Sequence, residues 1–121
     1  MPFDEYNKTV LDHFLNPRNT GELQDATVVA EFKNDVCGDH VKLSLKVEGG
    51  RITAARTKTF GCAAAIACSS AMTELLLGRS LAEAAELTDD DVVRRLGGLP
   101  EHKRKCSLTT REVVRLALSS L

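Results

Sequence analysis

The sequence predicts an α+β fold in which a three-stranded antiparallel sheet carries helices on one face. Three segments between residues 27 and 60 have strand character and are joined by short connections. After Gly61 the hydrophobic period lengthens to that of helices. Because 121 residues are enough for one core with little left over, we expect residues 1–121 to form a single domain.

The N-terminal segment predicts a helix over residues 4–15. Apolar side chains recur there at helical spacing, at Tyr6, Val10, Leu11 and Phe14. Asn16-Pro17 should end this helix, because the residue before a proline avoids the α region. A turn-rich loop is expected over residues 16–25.

Three strands are predicted next, over residues 27–33, 41–47 and 51–60. The second has the clearest alternation, with apolar side chains at Val41, Leu43, Leu45 and Val47. Glu48-Gly49-Gly50 has the composition of a hairpin turn and joins the second strand to the third. Such short connections favour an antiparallel meander with one solvent-exposed face.

Four helices are predicted in the second half. The first covers residues 63–77 and stops at Gly78. Two short ones begin at the capping signals Ser80–Glu83 and Thr88–Asp91, and Gly97-Gly98 ends the second of these. The last is capped by residues 109–112. Its apolar stripe consists of Val113, Val114, Ala117, Leu118 and Leu121.

Composition excludes several classes of function. Sixteen basic and seventeen acidic residues give a net charge of −1, which argues against a general nucleic-acid or membrane-surface binder. No apolar run approaches the roughly 18 residues of a membrane span. The polar, acidic start predicts no secretory signal, so we expect a cytoplasmic protein whose thiols stay reduced. Its four cysteines then favour metal or sulfur chemistry over disulfides.

Three of the cysteines fall at predicted element boundaries, where functional residues concentrate. Cys37 lies between the first two strands, Cys62 precedes the Ala-rich helix, and Cys106 precedes the last helix. Helix N-termini favour anions, and therefore the thiolate form that binds metals and attacks sulfur. Cys68 differs, because it shares an apolar helical stripe and is predicted to lie in the core.

The segment Cys37-Gly38-Asp39 places a thiolate and a carboxylate two residues apart, on the same side of an extended chain. A site made of Cys37, Asp39, Cys62 and Cys106 would suit a tetrahedral Zn²⁺ ion or a [2Fe–2S] cluster. An oxygen ligand in place of a fourth thiolate should weaken the grip on a cluster. That weakness would help a protein that hands its cluster onward.

The remaining histidines and the basic run are not assigned to the site. His13 and His40 are interpreted as surface or helix-face residues outside the site. The run His-Lys-Arg-Lys at 102–105 has no interleaved aromatic residues, so nucleic-acid binding is not expected.

In four segments the chain resembles the IscU/NifU/SufU family of iron–sulfur cluster assembly scaffolds. The segments lie in the family's order and spacing and cover nearly the whole chain: Tyr6 to Leu23, with VLDHFLNPRNTGEL; CGD at 37–39; TFGCAAAIACSS at 59–70; and LPEHKRKCS at 99–107. The family's α+β fold agrees with the fold predicted from the patterns.

This resemblance implies that Cys37, Cys62, Cys106 and Asp39 hold a transient [2Fe–2S] cluster, or Zn²⁺ in the isolated protein. It also implies a cysteine desulfurase as sulfur donor, with Cys106 as first acceptor, and apo-proteins as recipients. Such a protein is a scaffold and not a turnover catalyst. Many members have a histidine before the third cysteine, where this chain has Lys105, so Asp39 becomes the expected fourth ligand and His102 does not.

Two alternatives stay open. One is a SufU-like zinc protein that accepts persulfide sulfur from a desulfurase, and the other is a regulatory partner of a desulfurase with a structural metal. Leu99–Lys103 is also similar to the Leu-Pro-Pro-Val-Lys segment that a DnaK-type chaperone binds in IscU. Pro100 favours an extended, exposed loop there, although a plain connector explains the segment as well.

Overall fold

The computed structural model describes residues 5–34, 38–101, 103–104 and 109–121. The predictions that fall on Cys37, His102, Lys105 and Cys106 lie outside these described residues. None of the helices in the described ranges is both long and apolar enough to cross a membrane.

The predicted sheet is confirmed. It has the order β1-β2-β3 with antiparallel pairing throughout: β1 Val28–Lys33, β2 His40–Glu48 and β3 Arg51–Phe60. Each strand begins and ends within one residue of the prediction. Gly49 and Gly50 both have positive φ, 58° and 76°, as a two-residue hairpin of the favoured twist requires.

One face of the sheet forms the floor of the core. Cross-strand neighbours such as Ala30 and Leu43 are buried side by side, and so are Val28 and Leu45. The opposite face carries half-exposed lysines, for example Lys42. This arrangement is the predicted meander with one solvent-exposed face.

The first helix, α1, covers Lys8–Leu15 and begins later than predicted. Asn7 is its N-cap, because the Asn7 side chain accepts a hydrogen bond from the backbone N–H of Val10 at 2.8 Å. Asn16 caps the C-terminus, as predicted. Tyr6 therefore lies outside the helix, and the residue is 9% exposed.

Helix α2, Ala63–Leu76, is almost wholly buried and lies against both α1 and β3. It stops one residue before the prediction, ahead of Gly78 with φ 83°. Helix α3, Leu81–Ala85, has the predicted capping box, and α4, Asp89–Arg95, has the predicted N-cap at Thr88, which also forms a capping box with Asp91.

The last helix, α5, covers Thr110–Ser119 and packs on β1 and β2. The Thr109 side chain makes no capping hydrogen bond, so that part of the prediction is wrong. Asp89 of α4 accepts from the backbone N–H of Arg111 instead, at 3.2 Å. Leu121 was predicted in the apolar stripe but lies beyond the helix and is 50% exposed. The α+β class itself is confirmed.

Candidate metal centre

The candidate site lies where β2 begins and β3 ends. His40, the first residue of β2, pairs with Phe60, the last residue of β3. The residues just outside this pair are therefore neighbours: Asp39 before β2, and Gly61 with Cys62 after β3. Sheet pairing brings together two positions that are 23 residues apart in the chain.

Asp39 is only 4% exposed, which is unusual for a carboxylate. The backbone N–H of Cys62 donates a hydrogen bond to this carboxylate. Oxygen Oδ2 is buried and accepts no hydrogen bond from any described residue. Burial raises the pKa of Asp39 above its usual value, while the charge of Lys103 and the Cys62 N–H oppose the rise.

Cys62 is the N-cap residue of α2, with φ −75° and ψ 174°. Its side chain is half-buried. Its carbonyl oxygen accepts the N–H of Ile66 at 3.1 Å, which is the first hydrogen bond of the helix. The positive end of the dipole of α2 therefore lies at Cys62, whose N–H donates to Asp39, and it favours negative charge on that carboxylate.

Tyr6 belongs to this neighbourhood, which sequence reasoning missed. Its pKa is raised to about 12, first by burial and then by negative charge at Cys62. The helical spacing of residues 4–15 placed Tyr6 on a helix face. No local pattern could have revealed its position, because it depends on how the segment before α1 packs in the folded chain.

The predicted core position of Cys68 is confirmed. It is 2% exposed, and burial raises the pKa of its thiol to about 12. A thiol with that pKa stays protonated at neutral pH and is a poor metal ligand. Cys62 is thus half-buried at the start of α2, whereas Cys68 is fully buried within the helix.

Within the described ranges, no three side chains of His, Cys, Asp or Glu are close enough together to hold a metal ion. Asp39 and Cys62 are the predicted ligands that the structure brings together. Cys37 and Cys106 lie outside the described residues. The four-ligand set therefore stays a prediction.

His13 lies on a face of α1, as one of its two predicted placements has it, but the other placement, at the surface, is wrong. Its ring is 5% exposed, and Nδ1 lies 2.8 Å from Ser70 Oγ while Nε2 lies 3.4 Å from Glu74 Oε1. His40 is half-exposed and lies 3.0 Å from Glu31, as a surface histidine would. The polar partners of the two rings are Ser70 and Glu74 for His13 and Glu31 for His40.

Leu99–Lys103 is not an extended, exposed segment over the residues described. The backbone N–H of Lys103 donates to the carbonyl of Pro100 at 2.9 Å, which closes a turn. Leu99 is 8% exposed and belongs to the core. The expected exposure of this segment is therefore wrong at Leu99, because its side chain packs inside.

The chain was compared with known proteins. The family model described as "NifU-like N terminal domain" matches residues 5–121. Iron-sulfur cluster assembly scaffold protein IscU 1 of Archaeoglobus fulgidus is 45% identical over 113 residues, which cover 93% of this chain and 74% of the relative. The IscU scaffold protein of Aquifex aeolicus is 46% identical over 116 residues, covering 94% and 74%.

A solved structure supports the fold. The crystal structure titled as a putative iron-sulfur cluster assembly scaffold protein for the SUF system from Fervidobacterium islandicum aligns with a TM-score of 0.75. It is 21% identical, and the alignment covers 98% of this chain and 99% of that one. The likeness shows a shared architecture. Taken with the family match and the two relatives, these findings show that the chain belongs to the NifU-like N-terminal domain family, together with the IscU and NifU iron–sulfur cluster assembly scaffolds.

Proposed function

We propose that this chain is a scaffold on which a transient [2Fe–2S] cluster is built from iron and desulfurase-derived sulfur and then transferred to apo-proteins. The observation that carries the proposal is the buried Asp39 carboxylate beside Cys62, with an oxygen that no described residue satisfies. An unpaired buried oxygen costs free energy unless a cation or a donor arrives. Relatives named as cluster assembly scaffolds support the same role.

Chain connectivity supports the four-ligand set of Cys37, Asp39, Cys62 and Cys106. Two residues span at most about 7 Å, so the backbone of Cys37 cannot lie far from that of Asp39. The charge of Lys103 lowers the pKa of Asp39, and Cys106 follows Lys103 by three residues, which span at most about 11 Å. The proposal places all four side chains around one point.

The charges suit a cluster that is held and then released. Four anionic ligands around a dipositive core leave a formal charge of about −2. The N-terminus of α2 and the ammonium group of Lys103 both oppose that charge. A carboxylate binds iron less tightly than a fourth thiolate would, which lowers the barrier to passing the cluster onward.

Sulfur would enter through thiol exchange with a cysteine desulfurase. The Cys106 thiolate attacks the outer sulfur of the donor persulfide, a new S–S bond forms, and the donor cysteine leaves as its thiolate. Nothing in this step requires a general acid or base. The protein then acts as an acceptor and scaffold and not as a turnover catalyst.

Zn²⁺ fits the same thiolate-rich set. The SufU-like alternative, a zinc protein that only accepts persulfide sulfur, uses the same residues. The two relatives described above are named as IscU scaffolds, and no described contact favours the zinc alternative. The binding of a DnaK-type chaperone at Leu99–Lys103 is expected only from the family resemblance.

Anaerobic incubation with ferrous iron, cysteine, a cysteine desulfurase and a thiol reductant tests the proposal. The protein should develop visible cluster absorption and then activate an apo-ferredoxin. Cys62→Ala should do neither, while Cys68→Ala, the matched buried cysteine, should do both. A protein that is only persulfidated while it retains zinc would establish the SufU-like alternative.

Asp39→Cys tests the release argument. A fourth thiolate in place of the carboxylate should give a cluster that transfers to apo-ferredoxin more slowly than the wild-type cluster. Equal or faster transfer from this variant would contradict the role assigned to the oxygen ligand.

A further inference from the structure

We infer that Gly61 is a positioning residue of the site: the space left by its missing side chain lets the Asp39 carboxylate lie buried against Cys62. The inference rests on the proposed function for its purpose, because a carboxylate held there becomes a ligand. The position of Gly61 against Asp39 follows from the geometry alone.

Gly61 differs from every other glycine of the chain. Seven of the eight glycines have positive φ, where a glycine avoids the strain of a side chain: Gly21, Gly38, Gly49, Gly50, Gly78, Gly97 and Gly98. Gly61 is the exception, so its backbone is one that any residue adopts. Some other requirement must explain the glycine at this position.

That requirement is space. A Cβ atom on Gly61 would lie 2.6 Å from Asp39 Oδ1, and 2.9 Å from both Asp39 Cγ and the Cβ of Ala65. These separations are well inside van der Waals contact. At the seven other glycines, an added Cβ would meet no atom of the described residues closer than 3.5 Å.

Neither neighbour can move away without cost. Ala65 is 2% exposed within the first turn of α2, so its Cβ is fixed by the helix. Asp39 is held between β2 and the N–H of Cys62. An alanine at position 61 would therefore displace the carboxylate, which is the softer of the two contacts, away from the Cys62 N–H.

The first test needs no metal. In the wild-type background, Asp39→Ala removes the acceptor of the Cys62 N–H, so the Cys62 amide proton should shift upfield in the NMR spectrum. In a Gly61→Ala background the carboxylate is already displaced, so adding Asp39→Ala should leave that proton where it was. Comparing the two steps cancels the direct effect of the substitution next to Cys62. An equal upfield shift in both backgrounds would overturn the inference.

The second test measures metal affinity by competition with a chromophoric Zn²⁺ chelator. Gly61→Ala and Asp39→Ala should each weaken Zn²⁺ binding about tenfold or more, and the double variant should bind as Asp39→Ala does. With Co²⁺ as the probe, both single variants should give the same altered visible bands. Independent, additive losses would overturn the inference.

A control separates the two contacts of position 61. Gly61→Ala/Ala65→Gly removes the contact with helix α2 and keeps the contact with Asp39, so it should bind Zn²⁺ as weakly as Gly61→Ala. Recovery of wild-type affinity would show that Gly61 acts on the helix and not on Asp39. Failure of the proposed function looks different: wild-type metal binding would then be unchanged by Cys62→Ala, and the NMR comparison would still decide the role of Gly61.

Discussion

Two polar regions along α2 differ in how their buried groups are satisfied. The first is the candidate site at its N-terminus, formed by Asp39, Gly61 and Cys62. The second, here called the His13 cluster, lies along the second half of the helix and consists of His13, Arg18, Asn19, Ser70, Thr73 and Glu74.

The His13 cluster is densely hydrogen-bonded. Ser70 Oγ meets His13 Nδ1 at 2.8 Å and accepts the backbone N–H of Arg18 at 2.9 Å. Thr73 Oγ1 donates to the carbonyl of Ser70 at 2.7 Å and accepts from the side chain of Asn19 at 3.1 Å. These bonds tie the Asn-Pro-Arg-Asn loop to α2, which is a structural task.

The candidate site has the opposite character. Asp39 is as buried as His13, yet Asp39 Oδ2 has no partner among the described residues. In the His13 cluster the corresponding gap is one nitrogen, Nη1 of Arg18, on a guanidinium whose Nη2 lies 2.6 Å from Asp12. The difference teaches that partner satisfaction, more than burial, separates a group kept for the fold from one available to a ligand.

The largest expected effect separates the two cysteines of this helix and its cap. Cys62→Ala should weaken Zn²⁺ or cobalt binding by more than about a hundredfold, because a direct ligand is lost. Cys68→Ala should leave binding within about twofold and lower the free energy of unfolding by about 1–2 kcal/mol. Titration with each metal and urea denaturation measure the two effects. A loss of metal affinity from Cys68→Ala as large as that from Cys62→Ala would break the comparison.

The next effect concerns stability. His13→Ala leaves a cavity and removes a buried partner of Ser70 Oγ, so the free energy of unfolding should fall by about 2–3 kcal/mol. Metal affinity should stay within about threefold of the wild type, since the partners of His13 are Ser70 and Glu74, in the second half of α2. His40→Ala is the exposed control and should cost less than about 0.5 kcal/mol. Similar losses from both histidine variants would refute the structural role of His13.

Asp39→Ala should act in the other direction. Removing a buried, partly unsatisfied carboxylate relieves a desolvation cost, so the metal-free protein should become more stable by about 1 kcal/mol. Chemical denaturation in the presence of a chelator measures this change. A clear loss of stability would mean that Asp39 serves the fold, as the His13 cluster does.

The smallest effect is a pH dependence. Burial and the nearby charge of Arg18 lower the pKa of His13, while Glu74 and Asp12 oppose the shift and Arg95 adds to it. The unfolded chain therefore binds a proton at higher pH than the folded chain. Stability present above about pH 6.5 is then lost as the pH falls.

Unfolding measured at pH 7.5 and 5.5 should show this loss in the wild type and a smaller one in His13→Gln. His40→Gln, which keeps the buried histidine, should retain the wild-type pH dependence. An identical loss in wild type and His13→Gln would assign the effect to other groups.

Much of the fold was predictable because its signals are local. The alternation of residues 41–47, the glycine pair of the hairpin and the capping boxes of α3 and α4 each act within a few residues. The errors arose where a distant group replaced the local one. Asp89 caps α5 in place of Thr109, and the core accepts Leu99 from a segment that looked like an exposed loop.

The candidate site was only partly predictable for the same reason. Residue type and spacing identified Asp39 and Cys62 as potential ligands. They could not show that Asp39 is buried with an oxygen that no described residue pairs, that the charge of Cys62 acts on Tyr6, or that a glycine leaves the space for the carboxylate. Each of these depends on the docking of elements that are far apart in the chain.

The sequence by itself determined the order of strands and helices, the family, and the residue types that can hold a metal, because short-range propensity and chemistry are written residue by residue. The tertiary structure alone decided which polar groups are satisfied. Burial and hydrogen bonding are properties of the packed whole, and among the described residues they leave His13 hydrogen-bonded and one oxygen of Asp39 without a partner.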